Sequence, residues 1–324
     1  MSGLKRADAM TNLPPHPAPS AGFATVAIPG TCGELVQGLV GDVPCLVSCP
    51  IDRYARATVN LSPEADEWRT PPGKTKALAA LRRAATRLEL AGGGVLHFSS
   101  GLPDSKGYGS STADAASAVY ALGVAAGRPF DAPDVARLAI QVEPSDSTMF
   151  PGLALLAHRT GEHHETLGQP PALDILLLDT GGTVDTLAFN RDLPWEVMRQ
   201  QAPRVRDALA MLRDGIRQRD PKWVAQAATL SAKAHQAILP KSNLEAVLEA
   251  GRKAGALGVS VAHSGTLIGV LFRPVSRDER AARTTALRDR LGTRVAVAGW
   301  TSLVEGGPRL LTRNRFTTAA RTLS

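Results

Sequence analysis

The sequence predicts an α+β fold in two lobes, and three observations carry that expectation. Strand-type and helix-type runs alternate along the chain without the regular strand–helix–strand repeat of a doubly wound sheet. The first half is rich in short strand runs, whereas the second opens with two long helical stretches. The chain has 324 residues, 44% of them hydrophobic, enough to bury more than one small core. The expected division is a leader at 1–21, an N-terminal lobe at 22–172 and a C-terminal lobe at 173–324.

Met1 to about Ala21 contains several prolines and no hydrophobic centre, so it reads as a disordered leader and not as a secretory signal. Phe23–Ile28 is a short strand run ended by Pro29-Gly30, and Pro44–Cys49 and Tyr54–Leu61 follow as strands. In the last of these, Ala55, Ala57, Val59 and Leu61 fall on one side. Lys74–Leu90 is a helix stopped by three glycines, Gly92 to Gly94, and Val95–Ser99 is a strand. Ala113–Ala126 and Ala132–Gln141 are helices, the second opened by Asp131 and Pro133. Leu153–His158 and Ile175–Asp179 read as strands, then Trp195–Arg217, Lys222–Ile238 and Asn243–Ala254 as helices. Strands Val259–Ala262, Thr266–Phe272 and Val295–Gly299 flank a last helix, Arg277–Leu291.

Composition narrows the classes of function. No apolar run is long enough to cross a membrane. Three cysteines, Cys32, Cys45 and Cys49, are too few and odd in number for a disulfide framework, which fits a reduced, cytoplasmic setting. They lack zinc spacing, and Cys45 and Cys49 share one face of a strand as small hydrophobes. The net charge of +7 gathers late, in Arg273–Arg294 and Arg309–Arg321, without interleaved aromatics. With aromatics at 4% of the chain, a solvated basic face fits better than a nucleic-acid surface, and it can also attract an anionic nucleotide. Neither a nucleic acid nor a membrane is expected as partner, and a homodimer is left open.

The segment Leu102-Pro-Asp-Ser-Lys-Gly-Tyr-Gly-Ser-Ser-Thr-Ala-Asp114 is the most informative in the chain. Two glycines separated by one residue let the backbone turn sharply and approach a ligand closely. Ser110 to Thr112 are helix-capping residue types at the head of an alanine-rich helix whose first amides have no partner within the helix. Free amides, the positive end of the helix dipole and hydroxyls together form a socket for phosphate. Gly73-Lys-Thr75 echoes another phosphate motif but has Trp68 where that motif requires glycine, so it reads as a surface turn.

Three further segments carry candidate chemistry. Pro29 to Gly38 is a glycine-rich turn offering Glu34 and Gln37 to a small polar ligand. Gln141 to Thr148 places two carboxylates, Glu143 and Asp146, and three hydroxyls within six positions, suited to a hard cation and a proton acceptor. Gly258 to Gly269 is a strand, a small polar turn and a strand, in which His263 reads as a hydrogen-bonded structural imidazole. The pair His163-His164, beside Glu162 and Glu165, reads as a hairpin loop and not as a metal site.

The order Pro-x-x-x-Gly-x-Gly-Ser-Ser at 103–111 resembles the phosphate loop of the GHMP kinases, the family of galactokinase, homoserine kinase and mevalonate kinase. The resemblance implies a two-lobed kinase fold with ATP and acceptor in a cleft between the lobes. It implies ATP phosphates along Lys106, Gly107, Tyr108, Gly109, Ser110, Ser111 and Thr112, and Mg²⁺ held by Ser111 and Glu143. It implies Asp146 as base, and Glu34 and Gln37 in the acceptor pocket, with the turn at 258–269 supporting the phosphate loop. Thr112 stands where the family usually has alanine, and Glu143 and Asp146 lie closer together than in mevalonate kinase, so their two roles are interchangeable at this point. Segments 29–38, 46–52, 106–114, 143–148 and 262–266 resemble the branch that phosphorylates L-threonine for cobalamin synthesis, with homoserine, serine or a sugar as the alternative acceptor. A non-catalytic nucleotide-binding regulator is the alternative from another class.

Overall fold

The computed structural model describes residues 22–104, 106–181 and 193–311, so the leader at 1–21 and most of the second basic run lie outside the described residues. Its eleven strands form one hydrogen-bonded sheet. They are β1 (Phe23–Val40), β2 (Val43–Ser62), β3 (Trp68–Arg69), β4 (Gly93–Ser100), β5 (Leu153–Leu156) and β6 (His164–Gly168). The later ones are β7 (Asp174–Asp179), β8 (Gly258–Val261), β9 (Leu267–Phe272), β10 (Ala296–Ser302) and β11 (Arg309–Leu311). The main path runs β10-β7-β9-β8-β1-β2-β4-β3, with β11 also on β1 and the β5–β6 hairpin on β2. Antiparallel ladders dominate, as expected of an α+β chain without regular crossovers.

Among the described residues there are seven α-helices: α1 (Thr75–Arg87), α2 (Ser110–Ala125), α3 (Ala132–Ile140), α4 (Trp195–Gln218), α5 (Pro221–His235), α6 (Leu244–Lys253) and α7 (Arg277–Leu291). Helix α2 is buried nearly all round, and Ala113, Ala116, Ala118, Val119, Ala121 and Leu122 are fully buried. Its alanines let α1 and the sheet approach on several sides at once. Removing the Leu122 side chain would cost about 2–5 kcal/mol. Asp131 caps α3 by accepting from the Asp134 amide at 2.8 Å, with Pro133 in the first turn, as the sequence predicts. One large apolar core lies between the sheet and helices α1 to α5; a second is built from Leu244, Val247, Val259, Phe272, Leu287 and their neighbours.

Two boundaries depart from expectation. The turn predicted at 29–38 is the continuation of β1, and the two strands predicted at Pro44–Cys49 and Tyr54–Leu61 are one, β2. Both strands stay paired through register shifts between Pro29 and Val36, where Thr31 faces Pro50 and Glu34 faces Ser48. Gly33 absorbs the distortion at φ 62°, with Val261 so close that a β-carbon would overlap its backbone. A bulge therefore does what the sequence suggested a loop would do. The short strands β3 and β11 and the hairpin partner β6 carry little periodicity and were not expected. His163 lies in the turn before β6 and His164 opens that strand, stacked on Phe150 at 5.1 Å, so the pair belongs to a hairpin.

Candidate active site

The bulge on β1 puts a carboxylate at the centre of the molecule. Glu34 is the residue through which β1 pairs with β8, opposite Val261, so it sits where the two ladders of the sheet join. It is buried, and its Oε2 makes no hydrogen bond within the protein. Burial, and then the nearby Asp146 carboxylate, push its carboxyl well above the usual range; the Ser48 hydroxyl works weakly the other way.

The glycine loop closes over this point. Gly109 is the N-cap of α2 in the left-handed conformation (φ 63°), and no side chain caps the helix. The cap is thus glycine, with Ser110 to Thr112 in the first turn, because only a residue without Cβ turns this way beneath Asp146 and Thr31. The Thr31 amide donates to the Tyr108 carbonyl at 2.9 Å, which ties β1 to the loop. From the other side, the amides of Thr266 and Leu267 donate to the Lys106 carbonyl at 3.1 and 3.2 Å, and Gly265 packs directly on Gly107. The turn at 258–269 does support the loop.

Ser111, Glu143 and Asp146 converge below it. The Ser111 hydroxyl donates to Glu143 Oε1, and the Lys76 ammonium donates to Glu143 Oε2. The Asp146 amide donates to Thr112 Oγ1 at 3.1 Å. Burial is the main cause that raises the Asp146 carboxyl, and the Glu143 charge adds to it, while the Thr112 hydroxyl opposes. Loop residues Gly107 to Thr112, these carboxylates and Glu34 line one cleft of about 180 Å³. A larger groove of about 640 Å³ between α5 and α6 shares no residue with it.

Two expected residues stand back from the cleft. The Lys106 side chain pairs with Asp179 at 3.0 Å, and that carboxylate, held low by the Thr266 hydroxyl and Lys106 against its burial, is also bound by Thr266 at 2.6 Å. Gln37 is buried behind the wall, its Nε2 donating to the Val261 carbonyl at 3.3 Å and its Oε1 meeting His263 Nδ1 at 2.7 Å. His263 is the structural imidazole expected, with burial lowering its pKa to about 4, and it faces the cleft.

Sequence reading passed over four residues. Lys74 and Lys76 open α1 just after the turn at Pro72-Gly73; Lys74 reaches Asp114 at 2.6 Å and Lys76 reaches Glu143. The turn is a turn, yet its lysines belong to the site, and two lysines at a helix start after glycine were the available signal. His158 also lines the cleft, and Lys241, buried, donates to the Gly265 carbonyl at 2.6 Å. Neither carries a local motif.

The oxygen set fits a hard cation. Mg²⁺ takes one or two carboxylates and keeps water or phosphate oxygens for the rest. Ser111 Oγ and Glu143 Oε1 are already within contact of each other at the head of α2, and no group of three or more His, Cys, Asp or Glu suited to a metal is found among the described residues. A site of this kind is completed by phosphate, not by the protein alone.

A glycine loop at a helix N-terminus, a hydroxyl–carboxylate pair and a neighbouring buried carboxylate are an arrangement suited to phosphoryl transfer. The N-terminal domain of GHMP kinases matches residues 75–150, and the C-terminal domain of GHMP kinases matches 212–286. The L-threonine kinase of Citrobacter freundii is 31% identical over 251 residues, 77% of this chain and 86% of that one. The L-threonine kinase of Salmonella typhimurium is 28% identical over 292 residues, 89% of this chain and 95% of that one. Among solved structures, homoserine kinase from Cytophaga hutchinsonii superposes with a TM-score of 0.70 at 18% identity, covering 93% of this chain and all of its own. L. major mevalonate kinase superposes at 0.64 with 16% identity, covering 89% of this chain and 97% of its own. The chain belongs to the GHMP kinase family and is an ATP-dependent small-molecule kinase.

Proposed function

We propose that this kinase transfers the γ-phosphoryl group of ATP to the side-chain hydroxyl of L-threonine, giving O-phospho-L-threonine for cobalamin synthesis in the cytoplasm. The observation that carries the reading is the meeting of Glu34 and Asp146 at the inner end of the phosphate loop. An α-amino acid acceptor needs an anionic partner for its ammonium and a base for its hydroxyl, and a sugar needs only the second. The curated relatives that match over most of the chain are named as L-threonine kinases.

The amides at the head of α2 and the helix dipole would take the phosphates, and Lys76 would add a positive charge beside Glu143. Ser111 and Glu143 would hold Mg²⁺, which when bound neutralises charge on the phosphate oxygens. Asp146, its Oδ2 lying over Gly109, accepts the acceptor hydroxyl's proton as that oxygen attacks phosphorus. Glu34 holds the ammonium, so its ionised form is wanted only when the ligand arrives. That accounts for a buried carboxyl with an oxygen no protein group satisfies. Most of the acceleration comes from positioning and charge neutralisation.

The test is ADP release on L-threonine, L-serine, L-homoserine and galactose, with products identified by mass. L-Threonine is expected to be the best acceptor. Full activity on galactose or homoserine with none on L-threonine would overturn the reading, and nucleotide binding without turnover on any acceptor would point to a regulator.

A further inference from the structure

The inner end of the cleft holds a histidine that the mechanism above does not use. His158 follows β5, and its backbone is fixed: the Ser145 amide donates to its carbonyl at 3.0 Å, and Ala157 is tied to His163 at 2.8 Å. The ring is 4% exposed and reaches the cleft wall. Neither ring nitrogen makes a hydrogen bond of normal length within the protein, although the Pro44 carbonyl lies near enough to be felt. Buried polar atoms in this condition are uncommon, and one that faces a cavity invites a partner from outside the chain.

The surroundings say which kind of partner. Burial first, then His263 and Arg159, keep the ring neutral, so it presents one N–H and one acceptor nitrogen. His263 stands against it edge-on at 5.1 Å, held in place by Gln37. Glu34 supplies an anion in the same cleft, and an anionic group on the ligand must find its donor elsewhere. No arginine lines the cleft among the described residues, and Lys76 is engaged by Glu143 at the phosphate end. We infer that the His158 imidazole N–H binds the α-carboxylate of the acceptor, completing a three-point grip with Glu34 on the ammonium and Asp146 on the hydroxyl.

The inference rests on the acceptor being a hydroxy amino acid, so the experiment separates the two. Wild-type enzyme, His158→Leu and His158→Asn are assayed with L-threonine, L-threoninamide and 1-amino-2-propanol, and L-threonine binding is measured by calorimetry. Turnover of L-threonine by the wild type tests the acceptor class. The ratio of kcat/KM for L-threonine over L-threoninamide tests His158. The wild type should favour L-threonine, and His158→Leu should raise its KM roughly ten- to a hundredfold, the scale of one hydrogen bond to a charged group. The KM for ATP should not move, and the acid-over-amide preference should collapse. His158→Asn, which keeps an N–H donor, should recover part of the preference. Because His158→Leu replaces a buried ring without a normal hydrogen bond by an apolar side chain, its melting temperature should hold or rise, so that a lost preference is not a loss of fold. An undiminished acid-over-amide preference in His158→Leu overturns the assignment, as does a wild type that never discriminates. Should His158→Leu not fold, His158→Asn carries the same comparison.

Discussion

Gly109→Ala probes the point where loop and base meet, and Gly127→Ala provides its matched control. Gly109 has φ 63° and Gly127, just beyond α2, has φ 67°. Each substitution therefore imposes the left-handed cost of an L-residue, about 1–2 kcal/mol. They differ in what the new β-carbon meets. At Gly127 nothing lies within 4 Å; at Gly109 it would stand 2.6 Å from Asp146 Oδ2 and 2.8 Å from Thr31 Cγ2. Thr31 is pinned by its amide on Tyr108 and its hydroxyl on the Cys49 carbonyl at 3.1 Å, so the carboxylate must give way. Reaching ordinary contact at 3.4 Å requires a shift of about 0.8 Å. A misplacement of about 1 Å in a reacting group costs on the order of a hundredfold in rate. Urea unfolding should show a loss of about 1–2 kcal/mol for Gly127→Ala and a larger one for Gly109→Ala, whose β-carbon also overlaps Thr31 and Asp146, while ADP release should show the hundredfold drop in kcat only for Gly109→Ala. Equal kcat values for the two variants would refute the placement of the base above this glycine.

Other expectations follow from the same geometry. Asp146→Asn should lower kcat by about a hundredfold or more with little change in KM, as for loss of a positioned base; near-normal kcat would hand the proton to the phosphate itself. Ser111→Ala and Glu143→Ala should each raise the Mg²⁺ concentration needed for half-maximal turnover while the circular dichroism melt stays cooperative, and an unchanged metal requirement would remove both from the metal site. Glu34→Gln should raise the KM for L-threonine and leave that for ATP nearly unchanged, and L-serine should be poorer in the wild type by about 1–3 kcal/mol, the worth of one methyl in a fitted pocket. The pH profile has a defined sign. Both carboxyls are raised, so Asp146 regains its proton, and activity falls, at a pH above the ordinary carboxylate range; the hydrogen bond from Glu34, itself held protonated by burial, lowers Asp146, so Glu34→Leu removes that donor and should move the acid limb upward. A raised folded-state pKa also means that Glu34 favours the fold while protonated and loses that contribution as pH rises through it, so Glu34→Gln should gain melting temperature relative to wild type at neutral pH and gain least in acid. A larger gain in acid would contradict the buried, charge-coupled pair.

The sequence alone determined what depends on neighbours along the chain. The run from Pro103 to Thr112 already contains the glycine pair, the hydroxyls and the alanine-rich helix, since a phosphate loop is built from consecutive backbone amides. Glu143 and Asp146 were legible for the same reason, being two carboxylates at one helix end. The helices were legible from their periodicity and caps, as with Asp131 on α3. Tertiary structure alone decided what depends on residues distant along the chain. A bulged strand looks like a glycine-rich turn until its partner is known, and Glu34 becomes central only because β1 meets β8 there. Lys76 reaches Glu143 across 67 positions, and His158 meets His263 across more than a hundred, with no local pattern to announce either. Gln37 and Lys106 show the reverse: their residue types suit the site, but their side chains are satisfied by His263 and Asp179 behind or beside it. Residue type limits what a side chain is able to bind, and only packing decides which cavity it faces and whether its hydrogen bonds are already filled.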